Sequence, residues 1–138
     1  KKFGIGENQF ILENGENHKE MLKKYDNMDI MLDTYPHNSG MSSQDSLLMG
    51  VPVITICGER QSSQISKAIF PYIGCEEFIT YNYNDYIKKS ISLARDRNRL
   101  LKYKKNLRDK MKNSKRSDII QFVKELENSL LNLCKNTN

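Results

Sequence analysis

The pattern of hydrophobic and polar positions predicts an α/β unit between residues 29 and 58. Residues 30–32 form a short apolar run that is typical of a buried strand. Residues 34–40 favour a loop, because the Pro, Asn, Ser and Gly found there break both helix and strand. Residues 53–57 are apolar or β-branched throughout, which is the pattern of a strand covered on both faces.

A short helix is predicted between these two strands. Ser42 and Ser43 are suitable N-cap residues, and Asp45 follows Ser42 by three positions, as in a capping box with Asp instead of Glu. Gly50 stands where a C-cap glycine is expected, and Pro52 prevents the helix from continuing. Two strands joined in this way are most simply parallel, since the chain must cross over to return.

The loop before this helix carries the pattern of an anion site. Ligands of a parallel sheet bind beyond the carboxyl ends of the strands, and residues 38–43 lie there at a helix N-terminus. Small residues let a ligand approach the backbone, the first helical amides lack partners, and the helix dipole favours negative charge. Asp45 is suited to accept hydrogen bonds from ribose hydroxyls. An ordinary crossover loop capped by serine is the alternative that this pattern leaves open.

The chain resembles the O-GlcNAc transferase and SPINDLY-type glycosyltransferases in the segment DIMLDTYPHNSGMSSQDSLLMGVPVITICG, in the later IGCEEFITYNYNDYI and in a leucine- and arginine-rich helical tail. The resemblance points to the C-terminal, UDP-sugar-binding half of their catalytic region. It implies an α/β fold, a Rossmann-like parallel sheet flanked by helices as in the C-terminal domain of a GT-B enzyme, with a helical tail over 97–138. It also implies an inverting, metal-independent transfer of a sugar, GlcNAc in the first place, from a UDP-sugar to a protein Ser or Thr.

The resemblance also implies which residues hold the donor. The expected set is Asn38, Gly40, Met41, Ser42, Ser43, Asp45 and Arg60, and neither a catalytic residue, nor a metal ligand, nor a cofactor is expected. Three positions depart from the family pattern. Met21 stands where related enzymes carry a histidine, Met41 replaces a hydroxyl residue, and Gln64 replaces an arginine. Arg60 is then the one cation expected near the phosphates.

Other polar residues of this region are expected to have structural roles. Asp33 ends the first strand and is expected to tie the loop through bonds from backbone N–H groups to its carboxylate. His37 is expected to pack in the loop, with a ligand contact as the alternative. His18 is expected to be an exposed polar residue, with a ligand contact as the alternative, on a helix over residues 18–25 that Asn17 caps.

Helical spacing and turn residues predict the remaining elements. A short strand is predicted at residues 10–12 and an edge strand at 77–80. The predicted helices are one over 65–70 that Pro71 ends or kinks, one capped by Asn82 or Asn84, one around residues 100–111, and one that Ser117 caps.

We expect residues 1–138 to form one nucleotide-sugar-binding domain from a longer, two-domain enzyme. The upstream domain is then a partner that supplies further cations and the acceptor site. Alone, the chain is expected to be inactive as a transferase and to bind UDP weakly or not at all. Two alternatives remain open: a GT-B enzyme with a non-protein acceptor or an epimerase activity, and a non-catalytic α/β interaction domain whose loop binds nothing.

Composition and charge modify this picture little. The net charge is +5, yet residues 88–116 hold thirteen Lys or Arg against two Asp. Their apolar neighbours recur at helical spacing without an aromatic stacking pattern, so we interpret them as a solvated helix face rather than a nucleic-acid surface, with a partner contact still open. Three widely spaced cysteines indicate neither a disulfide framework nor zinc and fit a cytoplasmic protein. No apolar run has the length of a membrane span.

Overall fold

The computed structural model describes residues 4–15 and 17–135 of the chain. Within these residues, three strands and five α-helices alternate before the chain ends in helices alone. Their bounds are α1 His18–Lys24, β1 Met31–Leu32, α2 Met41–Leu48, β2 Val53–Ile56, β3 Ile79–Thr80, α3 Tyr83–Arg95, α4 Arg97–Lys112 and α5 Ile119–Lys135.

The three strands form a parallel sheet in the order β1-β2-β3, so the predicted α/β class and parallel pairing are confirmed. Met31 is in register with Val53, and Thr55 with Ile79. All four residues of β2 are buried, as expected for a central strand covered on both faces. The predicted burial of the first strand is wrong at its end. Leu32 is 55% exposed, because β1 lies at the edge of the described sheet.

Helix α2 ends as its glycine predicts. Gly50 has a left-handed backbone (φ 82°), its N–H donates to the carbonyl of Leu47 (3.1 Å), and the N–H of Val51 donates to Ser46 (2.8 Å). These two bonds make a Schellman motif, which satisfies the last carbonyls of the helix. Gly50 also lies against α4, where an added Cβ would meet the carbonyl oxygen of Lys104 at 2.7 Å.

Helix α4 completes the hydrophobic core. Its buried residues Tyr103, Leu107 and Met111 pack in the same cluster as residues from α2, β2 and the segment before β3. Several basic side chains of this helix reach backbone carbonyls: Lys104 Nζ donates to Asp26 (3.0 Å) and Arg108 Nε to Leu48 (2.9 Å). The solvated basic face that the sequence predicts therefore also ties α4 to the rest of the domain, partly at the C-terminus of α2, where cations are favoured.

Three local predictions are wrong. Residues 10–12 form no strand and stay largely exposed, since they pair with none of the described strands. Residues 65–70 form no α-helix. Instead, 3-10 turns span Gln61–Ser63, Ser66–Ala68 and Phe70–Ile73, and Pro71, which lacks an N–H and disfavours a helical residue before it, lies in the last. The cap of α5 is Asp118, whose carboxylate accepts from the N–H of Gln121 (2.9 Å), and not Ser117.

Helix α5 presents an apolar stripe that stays largely exposed among the described residues. None of its described residues is buried, and Phe122, Leu126 and Leu130 each expose about half of their surface or more. Residues 136–138 of the predicted tail lie outside the described residues. None of the described helices is both long and apolar enough to cross a membrane.

Replacing Gly50 with alanine should destabilise the domain more than the same change at Gly74. Both glycines have positive φ, so each substitution carries a backbone strain of about 1 kcal/mol. At Gly74 nothing lies within 4 Å of an added Cβ, whereas at Gly50 it would collide with backbone of α4. We expect a loss of unfolding free energy of about 3 kcal/mol for Gly50→Ala in urea denaturation. Equal losses in the two variants would contradict the close packing of α2 on α4.

Candidate functional site

A buried carboxylate organises the loop after β1. Asp33 Oδ1 accepts from the backbone N–H groups of Thr34 (2.9 Å) and Ser39 (2.8 Å), and Oδ2 accepts from the Thr55 hydroxyl (2.6 Å). The Tyr86 hydroxyl donates to the backbone carbonyl of Asp33 (3.0 Å), and burial together with the Asp33 charge raises the pKa of Tyr86. The predicted role of Asp33 as the residue that ties the loop is confirmed.

This loop leads to an open helix N-terminus. Helix α2 begins at Met41 with Gly40 as its N-cap, so the prediction that Ser42 or Ser43 caps it is wrong. Gly40 has no side chain to turn back on the helix, and its carbonyl accepts from the N–H of Gln44 (3.3 Å). The amides of residues 41–43 have no helical carbonyl one turn before them and no capping side chain. A ligand that approaches this end meets donors and the positive end of the dipole.

A chain of serine hydroxyls explains why the cap differs from the prediction. Ser66 Oγ donates to the carbonyl of Ser39 (2.6 Å) and lies 2.9 Å from Ser43 Oγ. Ser66 has a single hydroxyl proton, so Ser43 is the donor of the second bond. Ser43 is fully buried, so neither its hydroxyl nor its backbone N–H is open to a ligand. No sequence pattern singles out Ser66, because its partner lies 23 residues away.

The opposite side of the α2 N-terminus faces α1. The buried carboxylate of Asp45 has one oxygen 3.0 Å from His18 Nε2, and the His18 side chain is 63% exposed. His18 is thus exposed as predicted, but it also bonds Asp45, which the sequence analysis did not foresee. The Tyr25 hydroxyl donates to the carbonyl of Ser42 (3.2 Å), and burial followed by the charge of Asp45 raises the pKa of Tyr25.

The remaining predicted residues of the loop divide into inner and outer positions. Asn38 is buried, and its Nδ2 donates to the carbonyls of Thr34 (2.8 Å) and Ile56 (3.3 Å), while its Oδ1 has no partner among the described groups. Asn38 therefore has a structural role, because its side chain joins the loop to the end of β2. Met41 is 68% exposed and Ser42 is also exposed, so these two residues flank the open helix end. In the described part of the chain, no three His, Cys, Asp or Glu side chains are grouped as metal ligands.

Arg60 lies in a neighbouring pocket, beyond the carboxyl ends of β2 and β3. This pocket has a volume of about 860 Å³, and its lining includes Tyr35, Gly58, Lys67 and Tyr81 as well as Arg60. None of the other six predicted donor residues lines it. The sequence predicted Arg60 alone as a cation near the phosphates; the pocket that Arg60 lines also holds Lys67. The sequence analysis missed Lys67 because it placed this segment in an α-helix packed on the sheet.

The comparisons with known sequences agree on one family. The family model of glycosyl transferase family 41 matches residues 1–126. Two proteins described as probable UDP-N-acetylglucosamine–peptide N-acetylglucosaminyltransferase SPINDLY, from Solanum lycopersicum and Arabidopsis thaliana, are each 32% identical to the chain. The alignments cover 80% and 86% of this chain but only 12% and 13% of those relatives. The chain thus spans about an eighth of the length of the curated relatives it matches.

A solved structure shares the fold. A mutant of the Thermobaculum terrenum O-GlcNAc transferase superposes with a TM-score of 0.77 at 28% sequence identity. The match covers 83% of this chain and 22% of the other. The predicted resemblance, and with it the Rossmann-like sheet with flanking helices, is confirmed.

Replacing Asp33 with asparagine should loosen the loop and lower stability. One carboxylate oxygen would become an amide donor that faces existing donors, and the charge that strengthens three hydrogen bonds would be lost. We expect a loss of about 3 kcal/mol of unfolding free energy. The matched change Asp29→Asn, at an exposed position, should cost less than about 0.5 kcal/mol. Indistinguishable denaturation midpoints for the two variants would be evidence against a central role for Asp33.

Proposed function

Because the chain belongs to glycosyl transferase family 41, we propose that it is the donor-binding domain of an inverting, metal-independent transferase that modifies protein Ser or Thr. The donor we propose is UDP-GlcNAc, which the names of the SPINDLY relatives support. The observation that carries the proposal is the open N-terminus of α2, with a glycine cap and no capping side chain. A diphosphate is the kind of anion that such a helix end favours.

In this proposal the backbone amides of Met41 and Ser42, two exposed residues, receive the donor's diphosphate. Gly40 allows the phosphate to approach because it adds no side chain at the mouth of the helix, and the exposed Ser42 hydroxyl is a further donor. The amides are fixed before the donor arrives, since the loop is bonded through Asp33. Fixed dipoles stabilise the charge that grows on the leaving UDP without having to reorganise as the glycosidic bond breaks.

Asp45 is proposed to receive a ribose hydroxyl. It lies in the first half of α2, one helical turn after the proposed diphosphate position, and its carboxylate is held by His18 at 3.0 Å. A carboxylate fixed in this way accepts a hydrogen bond from the hydroxyl without losing side-chain freedom on binding. Arg60 faces the neighbouring pocket and not this helix end, so we assign it a different role below.

A second domain is proposed to complete the enzyme. The alignments cover 12–13% of the length of the curated relatives, and the apolar stripe of α5 is about half exposed in the described part of the chain. Phe122, Leu126 and Leu130 are suited to pack against such a domain, because exposed apolar stripes of this extent usually mark an interface. We therefore expect the 138 residues alone to transfer no sugar. Detectable transfer by them would contradict the proposal that a second domain completes the enzyme.

A negative charge introduced on the first turn of α2 should weaken donor binding without lowering the stability of the protein. In the full-length protein, Ser42→Asp places a carboxylate near the proposed diphosphate position. The same carboxylate interacts favourably with the positive end of the helix dipole. We expect the melting temperature to hold or rise slightly, and the Kd for UDP-GlcNAc measured by calorimetry to increase about tenfold.

Two controls sharpen this test. Ser42→Ala keeps the amide and removes only the hydroxyl, so it should weaken binding much less than Ser42→Asp. Uridine carries no phosphate, and its affinity should be the same in both variants. Equal affinities of the two variants for UDP-GlcNAc would show that the diphosphate binds elsewhere.

A further inference from the structure

We propose that the pocket beyond β2 and β3 is a second anion site, which binds an acidic segment of the polypeptide acceptor. The proposal rests on the proposed function, because it assumes a protein acceptor. It adds a specificity determinant: Arg60 and Lys67 would favour acceptors that carry Asp or Glu close to the hydroxyl that receives the sugar.

The charge of the pocket supports an anionic occupant. Arg60 and Lys67 both line it, and neither forms an ion pair with a described residue. Lys67 Nζ lies 5.8 Å from the centroid of the Tyr81 ring, so an aromatic face rather than a carboxylate accompanies this cation. Glu59 is the one acidic residue of the lining, which leaves the pocket with a net positive charge. Cations without internal partners are available to a carboxylate from another chain.

The turn that begins at Arg60 is held by its own hydrogen bonds. Gln64 Nε2 donates to the carbonyls of Gly58 and Glu59 (3.1 Å each), and Ser63 Oγ donates to the carbonyl of Arg60 (2.7 Å). Gln64 is therefore committed to the backbone. The charge of this pocket comes from its two basic side chains, and the turn that begins at Arg60 needs little ordering when a ligand binds.

The shape of the pocket favours a peptide over the donor's diphosphate. The amides at the start of α2 are not part of its lining, so it is separate from the proposed donor cradle. A volume of about 860 Å³ is ample for several side chains. Tyr35 and Tyr81 are both exposed at its rim, and tyrosine is among the residues most enriched at protein interfaces. Gly58 forms part of the wall, where an added Cβ would meet the Tyr35 hydroxyl at 3.0 Å.

The test compares two acceptor peptides on the full-length protein. The peptides share a Ser- or Thr-containing sequence and differ only in whether the residues beside the hydroxyl are Asp or Asn. Fluorescence anisotropy should show tighter binding of the Asp peptide, and added salt should reduce the difference, since the pocket is open to solvent. In the double variant Arg60→Gln/Lys67→Gln, we expect the Asp peptide to bind about tenfold more weakly and to match the Asn peptide.

Three controls make the outcome specific. Arg60→Lys/Lys67→Arg retains both charges and should keep the preference for Asp. Lys105→Gln/Lys112→Gln removes the same net charge from exposed positions of α4 and should leave peptide binding unchanged. The Kd for UDP-GlcNAc should be unaffected in all three double variants.

Several results would overturn the proposal. These are equal binding of the two peptides by the unaltered protein, an equal loss with the remote lysine variant, or a loss of UDP-GlcNAc affinity in Arg60→Gln/Lys67→Gln. The last would assign the pocket to the donor. A different result would contradict the proposed function itself: in that case the unaltered protein would bind no UDP-GlcNAc at all.

Discussion

The Asp33 carboxylate is the constraint on which the rest of the site depends. Its two oxygens join the end of β1, the following loop and the central strand β2, and its carbonyl receives the Tyr86 hydroxyl from α3. A buried carboxylate is costly unless its oxygens are bonded, and here three donors converge on it. The loop has little freedom to take another path as long as those bonds hold. The open end of α2 therefore has one position relative to the sheet.

Helix α2 is fixed at both of its ends, which gives its dipole a defined direction. At the start, the Ser43–Ser66–Ser39 chain of hydrogen bonds holds the first turn without using the amides that a ligand needs. At the finish, Gly50 packs against the backbone of α4, and Arg108 bonds the carbonyl of Leu48. The hydroxyl of Ser43 thus has a structural role, while the backbone N–H groups of Met41 and Ser42 in the same turn remain uncapped at exposed residues. A binding site made of such donors is organised before its ligand arrives.

Sequence reasoning succeeded where the cause of a structure is local. Strand β2, helix α2 and the role of Gly50 follow from apolar runs and turn residues that lie side by side in the chain. It failed where a bond joins distant residues. The buried Ser66 takes up the hydroxyl that was expected to cap α2. Lys67 lies in the pocket because its segment forms 3-10 turns instead of the α-helix that the apolar spacing suggested. The path of these turns depends on the same buried serine and on Pro71.

The two anion sites proposed above would also resolve an electrostatic difficulty. A diphosphate and an acidic acceptor repel each other, by roughly 1–4 kcal/mol for each pair of unit charges a few ångströms apart, depending on how much water separates them. Such an acceptor is tolerated beside the donor only if each anion has its own positive partner. The amides of α2 provide one, and Arg60 with Lys67 provides the other. The same separation means that the acceptor need not compete with the donor for the helix N-terminus. In this arrangement, selectivity for the acceptor can change through the side chains of Arg60 and Lys67 while the backbone site proposed for the donor stays as it is.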